Sequence, residues 1–179
     1  MADIKVHDKS FVPYLTEQEI LDKVKDLANR LNIDYKDKRP LFISVLNGSF
    51  MFSADLFKYL NIEAEICFIK LASYKGTKST GHIITAIGLD TDINGRDIII
   101  LEDIIDTGKT MNEFLPQITH QQPKSLKIAV LLHKPEATVF PLTIDYICFS
   151  IPNKFVVGYG LDYDGLGRNL GQLYQLKED

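Results

Sequence analysis

Residues Ile98, Ile99, Ile100 and Leu101 form an unbroken apolar run that leads straight into two carboxylates, Glu102 and Asp103. A strand with one wet face alternates apolar and polar residues. An unbroken run has no side to give to water and is read as a strand of a parallel sheet, covered on both faces. Apolar strands are also predicted over residues 41–46, 64–71, 82–88, 127–132 and 145–149. Between them lie helical patterns. Thr16-x-x-Glu19 is a capping box, in which each side chain caps the other's backbone, and it opens a helix with Ile20, Leu21, Val24, Leu27, Ala28 and Leu31 on one face. Lys38-Arg39-Pro40 closes that unit. A second apolar helix spans residues 50–59, and a third begins near Thr107, where Pro116 is expected to kink or end it. Strands alternating with helices specify an α/β fold with a mainly parallel central sheet flanked by helices.

A chain of 179 residues, 45% hydrophobic and 25% charged, has enough apolar surface for a sizeable core. Its net charge of −4 argues against a general binder of nucleic acid or anionic membrane. The first residues carry no secretory pattern and no apolar run approaches a membrane span, so a cytoplasmic protein is expected. Cys67 and Cys148 lie in apolar strand-like runs and are read as buried free thiols. His7, His82, His120 and His133 show no metal-ligand spacing. The polar, glycine-rich stretch 74–81 reads as a mobile loop, Asn94-Gly95 as a hairpin-type turn, and residues 150–179 as mixed structure.

In sheets of this kind ligands bind beyond the C-terminal ends of the strands. Three loops fall there: Asn47-Gly48 after one strand, Glu102 to Thr110 after a second, and Lys134 after a third. The second is the richest. Within nine residues it holds three acids (Glu102, Asp103, Asp106), a glycine and two threonines. Thr107-Gly108-Lys109-Thr110 suits a turn into a helix whose first N–H groups hold a phosphate. The acids suit hydroxyls. A P-loop is rejected, because the position of its first glycine is taken by Asp103, a carboxylate that would face the phosphates. An ordinary acidic turn accounts poorly for so dense a cluster.

The run from Leu101 to Thr110 resembles the phosphoribosyl-pyrophosphate motif of the type I phosphoribosyltransferases, and more narrowly that of the hypoxanthine-guanine phosphoribosyltransferases; the likeness extends from about Leu41 to Arg168. The resemblance implies a single domain over residues 1–179, with a small hood subdomain formed from the terminal segments. It implies transfer of the 5-phosphoribosyl group from phosphoribosyl pyrophosphate to N9 of hypoxanthine or guanine, with Mg²⁺ as cofactor and a homodimer or homotetramer as the assembly.

It also implies roles for individual residues. Glu102 and Asp103 would hold the ribose hydroxyls, directly and through Mg²⁺, for which carboxylate oxygens are suitable ligands. Asp106 would be the general base that takes the purine proton near N7, with helix capping as its rival role. Thr107, Gly108, Lys109 and Thr110 would cradle the 5-phosphate. Asn47 and Gly48, in a loop with a cis peptide before Asn47, would meet pyrophosphate together with Ser73, Tyr74 and Arg168. Many family members carry a basic residue where this chain has Asn47. The loop begun by Ser73-Tyr74 would close over the site and exclude water. Ile104, Lys134, Phe155, Val156 and Asp162 would form the purine pocket: Lys134 against the 6-oxo group, Phe155 stacked on the ring, Val156 offering backbone groups, Asp162 near a second Mg²⁺. A competing reading is a regulatory module that binds phosphoribosyl pyrophosphate and contacts nucleic acid. The acidic chain and the presence of Asp106, Lys134 and Arg168 argue against it. A xanthine-preferring transferase is the nearer alternative.

Overall fold

The computed structural model describes residues 2–73, 83–87 and 89–178. A six-stranded sheet is built from β3 (Leu41–Leu46), β4 (Glu65–Ser73), β5 (Ile83–Ile87), β6 (Asp97–Ile105), β7 (Ser125–His133) and β8 (Tyr146–Ser150), in the order β5-β4-β3-β6-β7-β8. Five strands are parallel, and β5 is an antiparallel edge on β4. Helices α1 (Glu17–Asp34) and α2 (Phe50–Tyr59) cover one face and α3 (Lys109–His120) the other. The alternation along β6 feeds both layers: Ile99 and Leu101 pack beside α1 and α2, Ile98 and Ile100 beside α3, and all four are fully buried. At roughly 1.5–3 kcal/mol for each apolar side chain removed from water, this strand is a main stabilising element.

The expected helices form for the expected reasons. In the capping box the Glu19 amide donates to Thr16 Oγ1, and the Thr16 amide donates to Glu19 Oε2. Such a cap contributes about 1 kcal/mol. Pro116 does not end α3, which runs through it to His120. Pro116 and Asn112 are both exposed, so water can satisfy the Asn112 carbonyl that the missing Pro116 amide leaves without its helical partner. The Asn94-Gly95 turn is present, with Gly95 at φ 67°, yet it joins no hairpin, since β5 pairs with β4 while β6 pairs with β3 and β7. Cys67 and Cys148 are free but only partly buried.

A second, antiparallel sheet comes from the two ends of the chain: β1 (Ile4–Val6), β2 (Lys9–Leu15), β9 (Val156–Val157) and β10 (Leu173–Leu176), in the order β1-β2-β10-β9. Phe11, Val157, Tyr174 and Val6 form its own small core. Pro13 is tolerated inside β2 because it lies past the end of β1, which pairs only as far as Phe11.

The connection order creates a crevice. From β3 the chain turns outward to β4, returns to β6 on the other side of β3, and then proceeds through β7 to β8. The β3–β6 boundary is thus where strand order reverses, the place where open α/β sheets take their ligands. Pairing between these strands stops at Ser44 and Leu101, whereas β6 stays paired to β7 as far as Ile105 and His133. The strand therefore runs on through Glu102 and Asp103 instead of ending before them. Both carboxylates stand on an extended segment whose β3 side has been freed.

Candidate active site

On the β3 side of the crevice the Leu46–Asn47 peptide bond is cis. The loop is tied down from beneath by three buried serines. Ser44 Oγ lies 2.7 Å from both Ser49 Oγ and Ser53 Oγ, and Ser49 Oγ donates to the Val45 carbonyl at 2.6 Å. Gly48 has no room for a side chain: a Cβ there would lie 1.6 Å from Asp103 Oδ2. Above it sits Gly160, at φ +99°, where a Cβ would lie 2.0 Å from the Gly48 carbonyl oxygen. Asp103, Gly48 and Gly160 are thus stacked in close contact, and two glycines permit the stack. The Tyr159 hydroxyl, donating to Asp55 Oδ2 at 2.7 Å, anchors this layer to α2.

Glu102 is 7% exposed, and its Oε2 is buried with no hydrogen-bond partner among the described residues. Burial, reinforced by the charge of Asp103, pushes its carboxyl well above the usual range. Asp103 is pushed up to about 6, mainly by burial; the Ile104 amide, its own amide and the Arg168 charge pull the other way. Two carboxyls with raised pKa values at a strand end form an acceptor site that a cation or a hydroxyl pair would satisfy.

From Asp103 the chain enters a cavity of ≈ 300 Å³ lined by residues 102–108, Thr110 and Met111. Gly108 caps α3 at φ 80°, and the expected start near Thr107 moves to Lys109. The Lys109 amide donates to Thr107 Oγ1, at 3.3 Å. The first amides of α3 have no partner within the helix, and Gly108, Thr110 and Met111 of this turn line the cavity. The Lys109 side chain turns away, lying 3.8 Å from Glu113, so its share in an anion cradle is its backbone.

A second cavity, of ≈ 240 Å³, is lined by Asp103, Ile104, Asp106, Lys134, Phe155, Val156, Leu161 and Asp162. All five residues expected around a flat ring are here. Lys134 is buried and directs Nζ to Asp106 Oδ2. Phe155 is 45% exposed and is held by its neighbours: its ring meets Tyr163 edge-on at 5.9 Å and Phe11 at 6.2 Å. Leu161, Tyr163 and Phe11 were not singled out from the sequence. The aromatic content of residues 155–163 was the available signal for Tyr163.

Arg168 closes the far side. Its Nη1 donates to the Gly160 carbonyl at 2.7 Å, and its Nη2 pairs with Asp162 Oδ1 at 2.5 Å; Asp162 Oδ2 accepts the Gly165 amide. Ser73 ends β4, at the same end of the sheet, where its backbone pairs with Ile83. Tyr74 and the loop 74–81 lie outside the described residues. A wider surface groove of ≈ 830 Å³ lies around Lys36, Lys38, Arg39 and Asn61, at the opposite end of β3, and contains none of these residues.

Comparison with known proteins bears on the family and the fold. The phosphoribosyl transferase domain family matches residues 13–164. A hypoxanthine-guanine phosphoribosyltransferase of Streptococcus pyogenes serotype M3 is 44% identical over 165 residues, covering 92% of either chain. Among solved structures, a hypoxanthine-guanine phosphoribosyltransferase from Bacillus anthracis with a HEPES molecule in its active site superposes with a TM-score of 0.87 at 36% identity, over 92% of this chain and 98% of that one. A mutant hypoxanthine phosphoribosyltransferase from Trypanosoma cruzi, solved as a ternary substrates complex, also gives 0.87, at 39% identity, over 92% and 94%.

Proposed function

Because this chain belongs to the phosphoribosyl transferase family and, within it, to the hypoxanthine-guanine phosphoribosyltransferases, we propose that it makes IMP and GMP by transferring the 5-phosphoribosyl group of phosphoribosyl pyrophosphate to N9 of hypoxanthine or guanine. The observation that carries this reading is that the two cavities share Asp103, Ile104 and Asp106. A ribose 5-phosphate in the first and a purine in the second would meet over those residues, which is the proximity a glycosyl transfer requires.

In this reading the 5-phosphate takes the amides of residues 107–110, and Glu102 with Asp103 accepts from the ribose hydroxyls. Asn47, Gly48 and Arg168 receive the pyrophosphate, with the backbone of the cis loop offering donors where Asn47 offers no charge. Ser73 and Tyr74 are assigned to the pyrophosphate as well, Tyr74 lying outside the described residues. The purine lies against Phe155 and Ile104, with Val156 presenting backbone groups at its edge. Lys134 leaves Asp106 and donates to the 6-oxo group. Asp106, relieved of its partner, takes the N7 proton as N9 bonds to C1′ and the C1′–O bond to pyrophosphate breaks. Adenine would set an amino group against Lys134 and leave a buried cation unpaired, a penalty large enough to reject it.

Mg²⁺ fits the carboxylates at the end of β6. Glu102 Oε2 is a buried acceptor with no partner among the described residues, and Asp103 stands beside it. Among the described residues no three His, Cys, Asp or Glu side chains are grouped to hold a metal by themselves. That suits an ion bound through one or two carboxylates plus substrate phosphates and water. When bound, the ion neutralises charge on the departing pyrophosphate. Asp162, expected near a second Mg²⁺, is engaged by Arg168 and the Gly165 amide; an ion there would have to compete with Arg168.

The whole chain is one catalytic unit in this reading. The sheet of β1, β2, β9 and β10 acts as the hood, since β9 leads directly through the purine pocket. No helix of the described residues is long and apolar enough to cross a membrane, and the free Cys67 and Cys148 suit the reducing cytoplasm we assign. A homodimer or homotetramer is part of the proposal and rests on the family likeness. The deciding experiment measures nucleotide formation from phosphoribosyl pyrophosphate and Mg²⁺ with hypoxanthine, guanine, xanthine and adenine in parallel. Turnover of the first two with adenine inert supports the reading. A preference for xanthine would move the substrate, and turnover of adenine would remove the role given to Lys134.

A further inference from the structure

The segment after β7 folds back onto the loop that carries Asp106. Thr138 Oγ1 lies 2.8 Å from the Asp106 carbonyl oxygen and 3.0 Å from the Lys134 carbonyl oxygen, and its single proton is shared between these two acceptors. His133 Nε2 lies 3.2 Å from the same hydroxyl, so an Nε2–H tautomer of His133 donates to its lone pair. The next residues continue the seam. The amides of Val139 and Phe140 both donate to the Thr107 carbonyl at 3.1 Å. Thr138 Cγ2 and Phe140 press on Gly108, where a Cβ would meet them at 3.6 Å and 3.3 Å. One short segment thus touches the proposed base, the proposed purine lysine and the glycine that caps the phosphate-binding helix.

We propose that Thr138 is a positioning residue for the transfer. Its hydroxyl fixes the Asp106 backbone relative to Lys134, so that the proton acceptor and the 6-oxo donor present the spacing of one purine edge. The seam formed by Val139 and Phe140 extends that register to the 5-phosphate cradle. This inference rests on the roles proposed above for Asp106 and Lys134. The geometry is distinctive because Lys134 Nζ and Asp106 Oδ2 meet across the pocket mouth while Thr138 joins their main chains from behind. The two residues are therefore held at both ends. When a purine separates the side chains, the hydroxyl, together with the Lys134 amide that donates to the Ile105 carbonyl, keeps the Asp106 main chain in register with Lys134.

The test compares Thr138→Val, which keeps the shape and removes the hydroxyl, with Thr138→Ser, which keeps the hydroxyl. Steady-state kinetics are measured for hypoxanthine and for phosphoribosyl pyrophosphate, alone and in an Asp106→Asn background. The valine variant is expected to lose roughly tenfold in kcat/KM for hypoxanthine, the scale of one hydrogen bond, with the KM for phosphoribosyl pyrophosphate changed by less than about twofold. The serine variant should recover most of the loss. In the Asp106→Asn background the same valine change should cost less than about threefold, since its effect runs through Asp106. Unchanged kinetics in Thr138→Val, an equal loss in the serine variant, or full additivity with Asp106→Asn would overturn the proposal. Wild-type turnover in Asp106→Asn alone would instead overturn the role of Asp106, so the two failures are separable. A thermal melt of each variant keeps loss of fold apart from loss of register.

Discussion

Lys134 and Asp106 form an ion pair across the mouth of the base pocket, Nζ to Oδ2 3.2 Å, with the lysine side chain 7% exposed and the aspartate 47%. The asymmetry gives each partner a different dependence on the other. Asp106 can turn to water, whereas the ammonium of buried Lys134 is held by Asp106 until a ligand arrives. In the proposed reading an incoming 6-oxo group would replace the carboxylate as acceptor, so that binding the correct base and freeing the proton acceptor would be one event.

Asp106→Asn is expected to keep the fold, because Asp106 is exposed and asparagine preserves its shape. Turnover with hypoxanthine should fall by roughly two orders of magnitude or more, the usual contribution of a positioned general base. Single-turnover kinetics with an unchanged melting temperature would support this, and an unchanged rate would remove Asp106 from the chemistry.

Lys134→Met removes the charge while retaining an unbranched side chain of similar length. We expect kcat/KM for hypoxanthine and guanine to fall by about 100-fold, as for a charged hydrogen bond lost at a buried site. The ratio of hypoxanthine to adenine turnover should collapse toward unity, because the group that rejects the 6-amino edge has gone. Retained discrimination would show that some other contact reads that edge.

The extent to which these features are legible in the chain follows from what makes a local pattern. Thr16 and Glu19 announce α1 because a capping box is a local arrangement three residues apart. Ile98 to Leu101 announces a doubly covered strand for the same reason. The terminal strands escape such reading. β1 is three residues long, β2 contains Pro13, and the register with β10 slips between Leu173 and Tyr174, so no clean alternation survives. The course of β6 through Glu102 and Asp103 depends on β7 remaining paired after β3 has stopped, which only the assembled sheet determines. The Ser44–Ser49–Ser53 network joins residues whose polarity reads as turn or surface until the fold buries them, and the contacts of Thr138 reach residues far away in the chain. The individual roles of Lys134, Phe155 and Arg168 came from family likeness. The geometry adds that the first two line one cavity and that Arg168 braces the Gly160 layer above Gly48.

Gly48→Ala tests that layer. The backbone at Gly48 is not in the left-handed region, so the obstacle is space alone: the new Cβ would stand 1.6 Å from Asp103 Oδ2. Displacing a packed carboxylate should cost about 1–3 kcal/mol of stability. Activity should drop by roughly 100-fold or more, because Asp103 would move out of the proposed ribose site. Adding Asp103→Ala removes the clash and should restore most of the melting temperature without restoring turnover. If the double variant were no more stable than Gly48→Ala, the strain would lie elsewhere in the loop.

The raised pKa of Asp103 makes stability depend on pH in a defined direction. Folding lifts the carboxyl from 3.8 to about 6, mainly by burial. Between those values the folded state binds more protons than the unfolded state. The contribution is therefore fully present below 3.8 and is lost as pH rises through about 6. Glu102 is shifted in the same direction. Asp103→Asn cannot ionise, so relative to the parent it should gain stability across this window, by at most about 3 kcal/mol at neutral pH. Chemical denaturation of both proteins between roughly pH 4 and pH 7 measures the gap. Mg²⁺ and phosphoribosyl pyrophosphate bound to the ionised carboxylate should pull the other way, so their affinity for the parent should rise more steeply through about pH 6 than their affinity for the asparagine variant. A gap that stays constant with pH would mean that Asp103 is ionised in the free protein throughout, and that the crevice is better solvated than its packing implies.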